Sequence, residues 1–510
     1  MSTSVTLGKD TNQALGIGEF AIDFLAGTLG PGPSQAVLDR IKRFHTDAVL
    51  CGASALALRT NAPTILQAEA LSYVDSNGAT LFGAPTRVKS EKAIVANGAA
   101  VREWDSNGTN FGYNPTRGFV AGEFGHNDYY SVAVAACQER GLDGATAVRA
   151  MVLIDEIRGR LAEVFSLKTY KIDHVVHGAI ASAATYVALH GGTAEQIESA
   201  IGMFVAHYIP WRAIRAGKQL SDSKGASAAI STEAAVLSAK RALAGFVGPK
   251  DIFRNPESLF RQFEPTKGDS PFDLVLSHSG DDFAVMGMHF KIGLYEHQSA
   301  GALQGLIDLL VENPSLLQPG RVGAIIVKAY EPAFGIIGDP AKRDPHTRQS
   351  ADHSMVYIVA TLLRKAIEAS ALGTSDDFWK QLMLMPADYS TVALHDVNTR
   401  ELIDKISFEH GGPEYDRRYP DGIPTSLIIT DVDGAIYESG MVMYPAGHAR
   451  NTTADLTGLL HKKAQLLGEL ALPDGGDVDA LVQQLEALYS LSAEQLLRVY
   501  QFEIANRPEN

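Results

Sequence analysis

Hydrophobic residues recur at two different periods along this chain, and the place where the period changes constrains the fold more than any other feature. Up to about residue 270 the repeat is helical. Ser34 to Leu50 puts Ala36, Val37, Ile41, Phe44, Ala48 and Val49 on one face, with Ser34 suited to cap the helix start. Glu91–Glu103, Tyr129–Arg140 and Gly144–Phe165 repeat the pattern. Gly178–Leu189 (GAIASAATYVAL) and Ser231–Ala244 have the small residues of tightly packed interior helices, and Thr193-Ala-Glu-Gln196 reads as a capping box between them. No strong strand signal precedes residue 270, and the first sixteen residues, MSTSVTLGKDTNQALG, read as a frayed polar tail with no secretion signal.

From Asp269-Ser-Pro-Phe272 onward the period is mixed. Val322–Tyr330 (VGAIIVKAY) is a short apolar run of the buried-strand kind. Leu427-Ile-Ile-Thr-Asp-Val-Asp-Gly434 and the following Ala435-Ile-Tyr437 read as a hairpin with an Asp-Gly turn. Helical stretches at 299–312, 351–370 and 376–384 lie between. After Tyr444-Pro445 the pattern returns to helix at 455–470 and 478–489, then in a last helix capped by Ser492 with Gln495. The expected fold is mainly α with an α+β insertion: residues 1–272 form the first part of a helical domain, 273–443 a smaller α+β domain, and 444–510 rejoin the helices.

The formal net charge of −15 argues against binding to nucleic acid, which needs a cationic surface, and against an anionic membrane. No run of 18 apolar residues occurs, so the expected location is cytoplasmic. Only Cys51 and Cys137 are present, which excludes a disulfide scaffold and a cubane iron–sulfur cluster held by this chain.

Five segments carry residues suited to chemistry. The first is Glu103-Trp-Asp-Ser-Asn-Gly-Thr-Asn110 with Gly125-His126, where Asp105, Thr109 and His126 could enter a cleft or simply make turns. The second, Lys171-Ile-Asp-His174-Val-Val-His177, spaces two histidines as zinc ligands are spaced, without a third ligand in sight. The third groups Arg212, Arg215, Lys218 and Lys224 just before an Ala-rich helix, where an anion would meet amide groups; the alternative is a solvated basic face. The fourth is Met288-His-Phe-Lys291 with His297, and the fifth Asp352-His-Ser-Met-Val-Tyr357 after Lys342-Arg-Asp344. No glycine-rich nucleotide fingerprint is present. Gathered together, His126, His174, Arg212, Lys224, Lys291 and His297 would make a positive pocket in a negative protein, fit for a small polyanion.

In this order the segments resemble the MmgE/PrpD family, and within it the 2-methylcitrate dehydratases. The resemblance spans roughly residues 20 to 505. It rests on Glu103-Trp-Asp-x-Asn-x-Thr109, Gly125-His126, Lys171-Ile-Asp-His174, Arg212-x-x-Arg215, Ser223-Lys224-Gly, Phe290-Lys291 with His297, Asp352-His-Ser-x-x-Tyr357 and Tyr444-Pro-x-Gly-His448. It implies dehydration of 2-methylcitrate to 2-methyl-cis-aconitate in the methylcitrate route of propionate catabolism, with no cofactor and no metal. It further implies a helical domain with a smaller α+β lid, the site lying between them, and a homodimer. The family positions are Asp105, Thr109, His126, His174, Lys224, Lys291, His297 and Tyr357. The stretch FGYNPTRGFVAG, between Thr109 and His126, is longer than in the family.

The expected catalytic set is therefore Asp105, His126, His174, Lys224, Lys291 and His297, with Thr109, Arg212 and Tyr357 binding a tricarboxylate. Dehydration removes a proton alpha to a carboxylate and expels a hydroxyl. Lys224 and Lys291 would stabilise the developing enediolate, His126 and His174 would share the acid and base roles with Asp105 assisting, and Arg212 would hold a spectator carboxylate. The competing activities are cis-aconitate decarboxylation, dicarboxylate epimerisation and, from another class, zinc-dependent hydrolysis using His174 and His177.

Overall fold

A computed structural model describes residues 2–119, 122–215, 219–372 and 377–507. The helical part is built from α1 (Gln13–Ala26), α2 (Gln35–Ala57), α3 (Asn61–Ala70), α4 (Ser90–Arg102), α5 (Tyr130–Arg140), α6 (Gly144–Val164), α7 (Val175–Leu189), α8 (Ala194–His207) and α9 (Asp222–Leu243). The expected signals are in place: Ser34 caps α2, and Thr193 with Gln196 closes a capping box on α8. Helix α7 is the hub, packed against α1, α5, α6, α8 and α9. Its small residues make that possible. A Cβ on Gly178 would meet the Tyr129 ring at 2.0 Å, so α7 and α5 approach only because that side chain is missing.

Residues from about 294 to 443 hold a four-stranded sheet whose order is Ile436–Glu438, Thr425–Asp431, Val322–Ala329, Ile406–His410. The last pair is parallel and the others antiparallel. Val322, Ile325, Val327 and Ala329 are buried in turn along the central strand; helix Ala300–Glu312 packs on the neighbouring strand Thr425–Asp431 and helix Met355–Leu372 on Ile406–His410. The chain then returns. Helices Leu456–Ala471 and Val478–Glu486 both pack on α2, and Ser492 and Gln495 close the last capping box.

Two sequence expectations are corrected. The N-terminal tail is not frayed: Ser4–Leu7 pairs antiparallel with Leu274–Ser277, and α1 begins at Gln13. The four-residue strand is too short to show a period, and its partner lies far along the chain. Short strands also occur within the helical part, at Val74–Thr80 with Arg87–Val88 and at Thr109–Phe111 with Glu123–His126. These are polar or glycine-containing, so they carry no apolar alternation.

Candidate active site

The loop leaving α4 forms one wall. Trp104 is fully buried and donates from Nε1 to Ser54 Oγ at 2.9 Å, and truncating such a side chain typically costs about 3–5 kcal/mol. That anchor lets the next residue, Asp105, adopt a left-handed φ of 50°. Ser106 Oγ donates to Gly293 O at 2.7 Å and Asn107 Nδ2 to Asp128 Oδ1 at 2.5 Å. Gly108 is required for space, since a Cβ there would lie 2.3 Å from the Phe44 ring. Lys463, from helix Leu456–Ala471, reaches under the loop to Ser106 O (2.6 Å), Lys291 O (3.0 Å) and Asp47 Oδ1 (2.6 Å).

Asp105 is almost wholly buried and ringed by cations. Arg102 Nη1 donates to Oδ1, and Lys291 Nζ donates to Oδ1 at 2.5 Å and to the backbone oxygen at 2.7 Å. Lys224, in the first turn of α9, stands 3.6 Å from Oδ2. His353 Nε2 is 3.1 Å from the same oxygen. Lys224 Nζ also lies 2.9 Å from Asp352 Oδ1 and 2.9 Å from His353 Nδ1. Arg348 ties the walls together, donating to both the backbone oxygen and the carboxylate of Glu103 while lying 3.2 Å from Asp352 Oδ2.

The opposite wall carries two imidazoles. His126 ends the strand paired with Thr109, its Nε2 3.6 Å from Asp105 Oδ1, and its ring centroid is 5.5 Å from that of His174. His174 immediately precedes α7; among the described residues neither ring nitrogen makes a hydrogen bond, and Nδ1 lies 3.4 Å from Asp173 Oδ1. The neighbouring Asp173 is held by both arms of Arg215, at 2.5 and 3.1 Å. Arg212 lies half-buried in the same short helical turn, with its backbone N–H on Lys171 O at 2.8 Å.

Together Arg102, Asp105, His126, His174, Arg212, Arg215, Lys224, Glu296, Lys342 and His353 line one cleft, closed by Leu220 and Ile336. Five of these are cationic residue types and two are acidic, in a chain of formal net charge −15. Burial dominates the electrostatics. It pushes the His126, His174 and His353 imidazoles well below their ordinary value, and nearby cations, Arg102 for His126 and Lys224 for His353, add to this. Burial thus favours the neutral form of all three rings, opposed at His174 by the adjacent Asp173 carboxylate. Lys224 is lowered to about 7 by burial and, second among the lowering causes, Arg102, against the opposing pull of Asp352. Lys291 is pushed well below its usual value by burial and Arg102. At Asp173 burial is overcome by Arg215, and the carboxyl is held low.

The model of the MmgE/PrpD N-terminal domain matches residues 23–270. That part of the chain carries an MmgE/PrpD N-terminal domain. The chain is 24% identical over 406 residues to the 2-methylcitrate dehydratase of Escherichia coli strain K12, covering 76% of this chain and 77% of that one. It is 25% identical over 441 residues to the mitochondrial 2-methylcitrate dehydratase of Yarrowia lipolytica, covering 80% and 79%. A fungal alkylcitrate dehydratase is 24% identical over 313 residues, covering 60% of this chain and 58% of its own.

Of the residues singled out by sequence, the fold brings Asp105, His126, His174, Arg212 and Lys224 to one cleft, with Lys291 behind Asp105. Three stand elsewhere. The Thr109 backbone bridges to His289, and its hydroxyl donates to Asn110 Oδ1 at 3.0 Å. His297 is buried with its ring stacked on His289 at 4.9 Å, and His289 stacks in turn on His448 at 3.9 Å. Tyr357 is buried under the second part of the chain, its hydroxyl donating to Asp388 O at 2.7 Å. Lys218 lies outside the described residues. In the long stretch after Thr109, the described residues 111–119 are anchored through Arg117, which donates to Val275 O at 3.0 Å and pairs with Asp282 at 2.6 Å. His174 and His177 belong to no set of three potential metal ligands among the described residues; the one such set is Asp105, Asp352 and His353. Sequence reasoning missed Arg102, Glu296, Lys342 and His353 as cleft residues, and Asp352 as the partner of Lys224 and His353 behind them. Asp352 and His353 stood in a quoted motif beside Tyr357. Arg102 reads as an ordinary helix-terminal cation.

Proposed function

We propose that the protein is a hydro-lyase that removes water from 2-methylcitrate to give 2-methyl-cis-aconitate, serving propionate catabolism through the methylcitrate cycle. The observation that carries this is the cleft itself: five cationic residue types converge with neutral imidazoles in an acidic chain. A tricarboxylate matches that charge, and local field rather than net charge governs binding in a narrow cleft. The relatives named 2-methylcitrate dehydratase support the choice of substrate.

The chemistry follows from the protonation states. Lys224, poised near neutrality, offers a free amine to take the carbon proton. Arg102 and Lys342 line the cleft where charge develops on the carboxylate, the place where preorganised cations act most strongly, with Lys291 behind Asp105. Arg212 and Arg215 stand where spectator carboxylates would bind in two-pronged fashion. The departing hydroxyl needs a proton to leave as water, and His126 and His174, beside Asp105, stand to supply it from a ring N–H. A metal-free route is supported by how the one three-ligand set among the described residues is filled: Lys224 Nζ stands 2.9 Å from Asp352, 2.9 Å from His353 and 3.6 Å from Asp105.

The α+β part, residues 273–443, serves in this reading as a lid. It supplies Glu296, Ile336, Lys342 and His353 to a cleft whose floor is helical. The homodimer and the cytoplasmic location belong to the same proposal. The test is a panel of 2-methylcitrate, citrate, cis-aconitate and 2-methyl-cis-aconitate on one preparation, followed by enoate absorbance. Growth of absorbance with 2-methylcitrate is the expected result. Carbon dioxide release from cis-aconitate with none would make the protein a decarboxylase. Zinc in stoichiometric amount, with activity abolished by a chelator, would defeat the metal-free route.

A further inference from the structure

Every side chain lining the cleft is ionisable except two, Leu220 and Ile336, and these come from different parts of the chain. Leu220 is buried just ahead of α9, four residues before Lys224. Its backbone is held on both sides: the N–H donates to Ser350 Oγ at 2.8 Å, and the carbonyl accepts from Thr347 Oγ1 at 3.5 Å. Ile336 belongs to the α+β part, in the π-helical turn Ala333–Ile337. Such turns are rare and frequently stand at functional sites. This one packs against strands Val322–Ala329 and Ile406–His410 and against the short turn His297–Ser299, with Gly338 N–H donating to Ala333 O at 3.0 Å.

An alkyl group entering this cleft has one favourable place to lie. Against Arg102, Arg215 or Lys342 it would strip water from a charge with no compensating contact. Against Leu220 and Ile336 it exchanges water for apolar surface. The proposed reaction says where that group must be. In 2-methylcitrate the hydroxyl is on the central carbon and the methyl on its neighbour. In 2-methyl-cis-aconitate the methyl stands on the new double bond, so the methyl-bearing carbon is the one that loses its proton. A substrate presenting that C–H to Lys224 carries its methyl beside the base, and Leu220 lines the cleft where the chain leads into the Lys224 turn.

We propose that Leu220 and Ile336 form an alkyl-binding wall that selects a tricarboxylate substituted on the carbon losing its proton, and so 2-methylcitrate over citrate. This rests on the dehydration reading above and adds a division of labour to it. The cations hold the three carboxylates, which both compounds share. Only the two apolar side chains read the methyl by which they differ, and one such group in an apolar pocket changes kcat/KM by about 10- to 200-fold.

The experiment uses the full chain in two arms. The first measures kcat/KM for 2-methylcitrate and citrate on wild type, Ile336→Ala and Leu220→Ala. Wild type should prefer 2-methylcitrate by about tenfold or more. Each variant should lose most of that preference through 2-methylcitrate, with citrate within about threefold of its wild-type value. The second arm needs no turnover. Calorimetry compares tricarballylate with its homologue methylated on a terminal chain carbon, a pair that lacks the hydroxyl and differs by the same methyl. Wild type should bind the methylated triacid about tenfold more tightly, and the variants should bind the two within about threefold of each other. Equal losses on both members of either pair overturn the wall, as does a wild type that binds the two triacids equally or binds neither. Should Leu220→Ala fail to fold, Ile336→Ala, at a half-buried position, decides alone. Should wild type dehydrate none of the panel yet keep the methylated-triacid preference that Ile336→Ala abolishes, the dehydratase reading falls and the wall stands.

Discussion

Lys463→Met is the substitution for which the structure makes the sharpest demand. Lys463 is fully buried, and its Nζ lies within 3.0 Å of three acceptors, Asp47 Oδ1, Ser106 O and Lys291 O. Methionine fills the same space but supplies no donor. Asp47 loses its only ion-pair partner among the described residues, and its other oxygen already has no hydrogen bond. Breaking a buried pair from one side costs about 3–5 kcal/mol, because the remaining charge stays uncompensated. In urea, with a slope of about 3 kcal/mol per molar, that moves the unfolding midpoint down by about 1 M or more. Asp47→Asn in the Lys463→Met background should recover part of the loss, since an amide carries no charge to desolvate, giving a coupling above about 1.5 kcal/mol in the double-mutant cycle. The loss must also reach the active site, because Ser106 and Lys291 flank and touch Asp105. Turnover should fall even in buffer where the variant is fully folded. A midpoint within about 0.2 M of wild type, with unchanged slope, would refute this account of the helix Leu456–Ala471.

With the Lys224 ammonium lowered to about 7, the amine dominates above that pH and the ammonium below it. The rate constant kcat/KM should therefore rise with pH through about 7 and level off, and a pH profile of Lys224→Arg should show no such limb over a much lower rate. Arg215→Lys cannot reproduce the two-pronged grip on Asp173, so His174 loosens; KM should rise about tenfold, the equivalent of roughly 1.4 kcal/mol, in steady-state assays. Tyr357→Phe removes one buried hydrogen bond to Asp388 O and should cost about 1 kcal/mol in denaturant unfolding, while KM stays unchanged. Thr109→Ala should leave kcat and KM within about threefold of wild type, because its hydroxyl binds Asn110 rather than facing the cleft.

Much of this protein is local in origin and therefore legible in its sequence. Caps such as Ser34 and Thr193 act on amides a few residues away, and the apolar stripes of α2 and α6 need only a core to face. The motifs around Asp105, His126, His174 and Lys224 stood out because their residue types are costly to bury without a purpose. What the tertiary structure decided is which of these side chains share a space. His297 and Tyr357 sit in motifs as marked as that of Asp105, yet one is stacked on His289 and the other serves Asp388. Arg102 and His353, from positions about 250 residues apart, meet at Asp105. The low basicity of Lys224 is likewise a property of its neighbours and its burial. Residue order sets the spacing along a helix or strand, but contact across hundreds of residues, and the dielectric it creates, exists only once helices and sheet have packed.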